Sequence, residues 1–160
     1  GKMTYPSLPT AVALPFSTGS LYGDLAARAP NLSWIYGSAK FYKTPVEGVL
    51  PVTMHERDDR LEAPQGAVVT TKAPNHPILE GVAGNWPPLL GYNEVIAKPE
   101  AEVLAEIDGH PFLATLEPCK GRSLVCTSDI GPHWCPLPFV EWEGYNRIWQ
   151  QAVGWLARRV

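Results

Sequence analysis

The sequence predicts a single α/β domain in which an antiparallel meander extends a sheet and a C-terminal helix packs against it. Two β-rich runs, residues 102–107 and 110–117, flank Asp108-Gly109, a pair suited to the positive φ values of a type I′ hairpin. Residues 141–159 place Trp142, Tyr145, Trp149, Ala152, Val153 and Leu156 at helical spacing, so one face is apolar and needs a sheet to cover it. Seventeen prolines in 160 residues argue against a mostly helical chain and for long ordered loops. With 45% hydrophobic residues, residues 1–160 suffice for one sizeable core and leave no room for two ordinary domains.

The elements follow in order. Residues 3–9 read as turn and 12–16 as a short strand. Residues 17–20 form a polar Ser/Gly turn, and 22–29 a helix that Pro30 ends. The run at 44–54 mixes β-branched residues with two prolines and reads as an edge strand or extended segment. HERDDRLE at 55–62 reads as a solvated face. A short strand is expected over 67–71, then a turn at Asn75-His76-Pro77 in which Asn75 caps a helical segment through Glu80. The turn at 118–121 leads into a buried strand over 122–128, the third of the meander.

Composition narrows the function classes. A net charge of −3 leaves no basic footprint for nucleic acid or an anionic membrane, and no apolar run reaches the ~20 residues that span a bilayer. Cys119, Cys126 and Cys135 contain no CxxC pair and no zinc spacing, so they read as reduced thiols of a soluble, cytoplasmic protein. No cofactor or metal is called for.

The most site-like stretch lies between the last strand and the final helix, where three prolines and a glycine fix the path of residues 129–140. Ligands bind at strand C-termini in open α/β sheets. His133 reads as a general base, a metal ligand or a structural histidine, and Asp129, four residues earlier, is placed to orient its imidazole. Trp134, Trp142 and Tyr145 suit an aromatic wall for a sugar or planar ligand, although Trp142 and Tyr145 equally fit the buried stripe of the helix. Glu141 fits a helix start, favoured there by the dipole. His76 and Asn93 are polar groups at turn or strand ends, without metal spacing.

Ordered motifs carry a resemblance. They are TPVEGVLPV at 44–52, Asp58-Asp59-Arg60, NHPILEGV at 75–82, WPPLLGYN at 86–93 and KPEAEVLAEI, then CKGRSLVCTSDIGPHW at 119–134 and FVEWEGY at 139–145. Over residues 32–158 the chain resembles the putative glutamine amidotransferases, relatives of the trehalose-utilisation proteins. The resemblance implies a three-layer class I glutamine amidotransferase-like, flavodoxin-like sheet, incomplete at the N-terminus. Members begin with a βαβ half and a Gly-Gly-rich strand end before the position of Leu32-Ser33-Trp34, and residues 1–31 match neither. A fragment, a divergent member or a rearranged form is therefore expected, with a second copy, a partner chain or an untypical core completing the sheet.

Glutaminase chemistry in that fold needs a cysteine on a strand-to-helix elbow, deprotonated by a histidine and facing oxyanion-stabilising amides. Cys119 falls in a turn, Cys126 inside a strand and Cys135 in the proline-rich loop, so no glutaminase activity is expected. The expectation is an amidotransferase-like protein of unknown substrate. The alternatives are a noncatalytic small-molecule or carbohydrate-binding module and a structural subunit.

Overall fold

A computed structural model describes residues 11–15, 42–82 and 84–159, the first five as backbone. The expected turns at 3–9 and 17–20 and the helix at 22–29 lie outside the described residues.

Nine strands are described: β1 (Ala11–Pro15), β2 (Val52–Thr53), β3 (Arg60–Ala67), β4 (Val69–Thr71), β5 (Leu89–Asn93), β6 (Ile96–Ala97), β7 (Glu102–Ile107), β8 (His110–Leu116) and β9 (Arg122–Cys126). The helices are α1 (Pro45–Val49), a 3-10 turn (Pro77–Leu79), α2 (Leu137–Val140) and α3 (Glu143–Leu156). The main sheet has five strands in the order β1-β9-β8-β7-β4; β1 pairs parallel with β9, and the other pairs are antiparallel. β2–β6 and β3–β5 form two separate antiparallel ribbons.

The meander is as expected. Asp108 and Gly109 take φ of 51° and 83°, the left-handed values a type I′ turn requires. β8 and β9 are apolar on both faces, as strands covered on both sides must be. Leu113, Leu124 and Cys126 join the larger core, under the 3-10 turn, α2 and α3. Ala114 and Val125 point the other way, onto Leu50, Val52, Met54 and Val95.

Several elements differ from the sequence reading. The edge strand expected over 44–54 is the helix α1 followed by β2: Thr44 accepts from the Glu47 amide and Pro45 stands in the first turn, where its missing N–H costs nothing. The carboxylate of Glu47 then accepts from the Met54 amide at 2.9 Å and folds the chain back. The strand expected over 67–71 is two strands, β3 entering from the preceding charged run and β4, with Val68 exposed between them. The 3-10 turn is capped by His76, whose Nδ1 accepts from Ile78 N, and not by Asn75.

The final helix begins at Glu143 and ends at Leu156, with its buried face rotated from the one expected. Gly144, Ile148, Ala152, Trp155 and Leu156 are buried, while Val153 is 63% exposed and Trp149 half-buried. The cause lies at the helix start. Trp142 folds its ring back against Gly144, where a β-carbon would collide with it, and this turns the helix so that the 144/148/152/155 stripe faces inward.

Candidate functional site

β9 delivers the chain to a loop threaded against β5. Thr127 N donates to Phe112 O, continuing the β8–β9 ladder, and its Oγ1 donates to Pro111 O. Asn93 N then bonds Thr127 O at 2.7 Å, Ser128 Oγ donates to Gly91 O at 2.8 Å and Leu90 N bonds Trp134 O at 2.8 Å. Residues 127–134 are therefore held by the backbone of β5, which fixes Asp129 at the C-terminal end of β9.

Asp129 is almost fully buried and His133 is open to solvent, with side chains 2% and 58% exposed. Asp129 Oδ2 lies 2.8 Å from His133 Nδ1 and accepts the Trp134 amide at 3.0 Å. Its Oδ1 has no hydrogen-bond partner among the described residues. With Asp129 Oδ2 accepting from Nδ1–H, Nε2 is left as the lone-pair nitrogen of an exposed ring. A buried carboxylate against an exposed imidazole is a pairing whose chemistry can include acid/base work.

The remaining candidates separate. Trp134 is 2% exposed; its indole lies on Gly91, its Nε1–H donates to Glu62 Oε2 at 2.9 Å, and His133 stacks on it with centroids 5.7 Å apart. Its flat face supports the imidazole and is not open to a ligand. Tyr145 OH donates to Ile130 O at 2.5 Å and so clamps the loop to α3, while burial raises its pKa. Trp142 packs against Trp86 and Phe139 in an aromatic cluster. Glu141 is exposed and ends α2, so its carboxylate does not cap α3; the acid in that first turn is Glu143.

Asn93 is buried, donates to Asp59 Oδ1 at 2.8 Å and belongs to the β3–β5 ribbon; burial raises the Asp59 pKa. His76 packs at a tilt against Trp155 near the far end of α3, ten residues past the Tyr145 clamp or ~15 Å along the axis. Neither belongs to the Asp129–His133 pair. Sequence reasoning missed Glu62, hidden in the charged run at 55–62, and Gly91, whose bare Cα admits the indole of Trp134.

The thiols lie in three different settings. Burial pushes both Cys126 and Cys135 up to about 12, the opposite of what a nucleophile needs. Cys119 is exposed at φ 56° in the β8–β9 turn. That turn precedes β9 and the His133 loop follows it, so a whole strand separates the two. No group of three or more His, Cys, Asp or Glu side chains among the described residues is arranged to hold a metal.

Behind Asp129 lies an apolar cavity of about 20 Å³, bounded by Trp86, Phe112, Cys126, Phe139 and Trp149. A drug-sized ligand needs ~300 Å³ or more.

The family model described as "Putative glutamine amidotransferase" matches residues 31–158. Two solved structures are similar over 92% of the chain. The cytoplasmic protein STM1381 from Salmonella typhimurium LT2 is 34% identical at a TM-score of 0.77, and this chain covers 56% of it. The cytoplasmic protein STM3548 from Salmonella typhimurium is 28% identical at a TM-score of 0.75, with 55% covered. The chain thus spans little more than half the length of these two proteins. Among curated proteins none matches.

Proposed function

The chain belongs to the putative glutamine amidotransferase family, and from that premise we propose that it is an amidotransferase-like protein in which His133, oriented by Asp129, is the working acid/base. The single observation that carries this reading is the 2.8 Å contact between a buried carboxylate and an exposed imidazole at the end of β9. His76, a structural histidine, is buried, whereas the His133 side chain is 58% exposed and is bonded through Nδ1.

The substrate is a small polar molecule, and the chain has no glutaminase activity of its own. Two deeply buried thiols and a third at the wrong end of β9 support that second point. The five-stranded sheet with apolar residues on both faces fits one part of a three-layer, flavodoxin-like class I arrangement. β1, parallel to β9 and at the end of the strand order, is the edge at which a further strand, from a second copy or a partner chain, completes it. A cytoplasmic setting fits the two similar proteins, both labelled so, and no helix among the described residues is long and apolar enough to cross a membrane.

A noncatalytic binding module is the second reading, favoured by an open groove of about 670 Å³ between the 3-10 turn and α3, lined by Glu80, Glu143, Arg147 and Gln151. A thermal-shift screen of sugars, amides and divalent metals separates the two, because a ligand that binds the folded state raises its melting temperature. A ligand found for the parent is expected to lose its shift in His133→Ala, with the ligand-free melting temperature nearly unchanged. A shift that survives this change but vanishes in Arg147→Ala places binding in the groove. Ammonia release from glutamine that disappears in Cys135→Ser would refute the absence of glutaminase activity.

A further inference from the structure

Glu62 sits on β3 opposite Gly91, in a charged run whose composition reads as a solvated face. We propose that it is a positioning residue for His133, acting through the indole of Trp134. The inference rests on the reading of His133 as the working acid/base, and it concerns how that imidazole is held.

Two restraints act on the ring. Its Nδ1 is tied to Asp129 Oδ2 at 2.8 Å, which fixes one point and leaves rotation about the N–H···O line. Stacking on Trp134, at a centroid distance of 5.7 Å and 26° between planes, removes that rotation and so sets the direction of Nε2. The orientation of Trp134 thus decides where the Nε2 lone pair points.

The indole is itself held in three ways. Its backbone amide donates to Asp129 Oδ2 at 3.0 Å, its ring rests on Gly91, and its one side-chain donor, Nε1–H, meets Glu62 Oε2 at 2.9 Å. The first two fix the residue and the plane in which it packs. The Gly91 contact falls on the same edge of the ring, at Nε1, Cε2 and Cδ1, and the third is the indole's one hydrogen bond. A buried indole N–H without an acceptor pays its full desolvation cost, so an indole deprived of Glu62 turns to find water and carries the imidazole plane with it. The contact spans 72 positions of sequence.

The test reads the imidazole directly in the full chain, with ¹⁵N- and ¹³C-labelled histidine and the His133 signals assigned by their loss in His133→Ala. In the parent, the His133 carbon-bound protons are expected to carry an upfield ring-current shift from the indole, and its nitrogens the shifts of the Nδ1-protonated tautomer. Glu62→Ala is expected to abolish the ring-current shift and to average the two nitrogen shifts. Glu62→Gln, whose amide oxygen still accepts, is expected to keep both signatures. In a Trp134→Phe background, which has no N–H to hold, Glu62→Ala is expected to produce no further change.

Unchanged His133 signals in folded Glu62→Ala overturn the inference. So does a Glu62→Gln spectrum displaced as far as that of Glu62→Ala, which assigns the effect to charge, or an undiminished effect in the Trp134→Phe background. Should Glu62→Ala fail to fold, Glu62→Gln decides alone: parent-like signals support the hydrogen bond and displaced ones overturn it. No ligand enters these spectra. A His133→Ala variant that keeps its full ligand response therefore sinks the functional reading without touching this result.

Discussion

At the scale of single residues, two histidines in turns have opposite fates. His133 is exposed and paired with a carboxylate, whereas His76 is buried, accepts the Ile78 amide on Nδ1 and packs at a tilt against Trp155. Burial lowers the pKa of His76 from its ordinary 6.5. Protonation would also replace the acceptor lone pair with a second N–H facing a donor. The sign follows: the unfolded chain binds this proton more readily, so the stability due to neutral His76 is complete above 6.5 and is lost as pH falls below that value. The melting temperature is expected to drop more steeply between pH 7 and pH 5 in the parent than in His76→Asn, which keeps an acceptor for Ile78 N without a titrating group. Equal slopes would remove His76 as the source. The spacing of Asp129 and His133 was legible because the two are four residues apart in one loop; the hold of Glu62 on Trp134 was not, since nothing local brings positions 62 and 134 together.

At the scale of elements, α3 separates pattern from packing. Its sequence carries two overlapping apolar stripes, one through Tyr145, Trp149, Ala152 and Leu156 and one through Gly144, Ile148, Ala152 and Trp155. Periodicity cannot choose between stripes about 100° apart. The choice is made by Trp142 closing over Gly144 and by Trp155 meeting His76 and the Arg122 guanidinium. Ile148→Ala is accordingly expected to cost about 2–5 kcal/mol and Val153→Ala to stay within about 0.5 kcal/mol of the parent, as read from urea unfolding. The reverse order would restore the face expected from sequence. In α1 the sequence did hold the answer: Thr44-Pro45 followed by Glu47 is a helix-start signal, outweighed in the reading by the valines around it.

For the whole molecule, stability concentrates where one sheet serves two cores. β8 and β9 contribute to the cluster under α3 and to the smaller one around Leu50 and Val52, while the β3–β5 ribbon reaches only the first, through Ala63, Ala67, Leu89 and Tyr92, and Pro64 and Gln65 face solvent. Native-state amide exchange is expected to be slowest at Ala114, Leu124 and Val125 and at least tenfold faster in the ribbon, because opening the sheet centre exposes apolar surface on both sides at once. Ribbon amides that outlast those of β9 would overturn this division. The His133 loop bridges the two regions, bonded to β9 through its chain and to β5 through Leu90, Gly91 and Asn93. Local opening of the ribbon would therefore release the site before the fold.

By itself the sequence determined the features that depend on near neighbours: the meander and its Asp-Gly turn, the existence of the C-terminal helix, the proline-set loop after the last strand and the Asp129–His133 spacing. Each is decided by steric or hydrogen-bonding preferences acting over a few residues. Its ordered motifs also identified the family that matches residues 31–158. Tertiary structure alone decided which stripe of α3 turns inward, that Trp134 lies beneath His133, and that Glu62 leaves a charged run to hold it. Those outcomes follow from close packing between segments distant in sequence, where a missing β-carbon at Gly91 or Gly144 sets the position of a tryptophan.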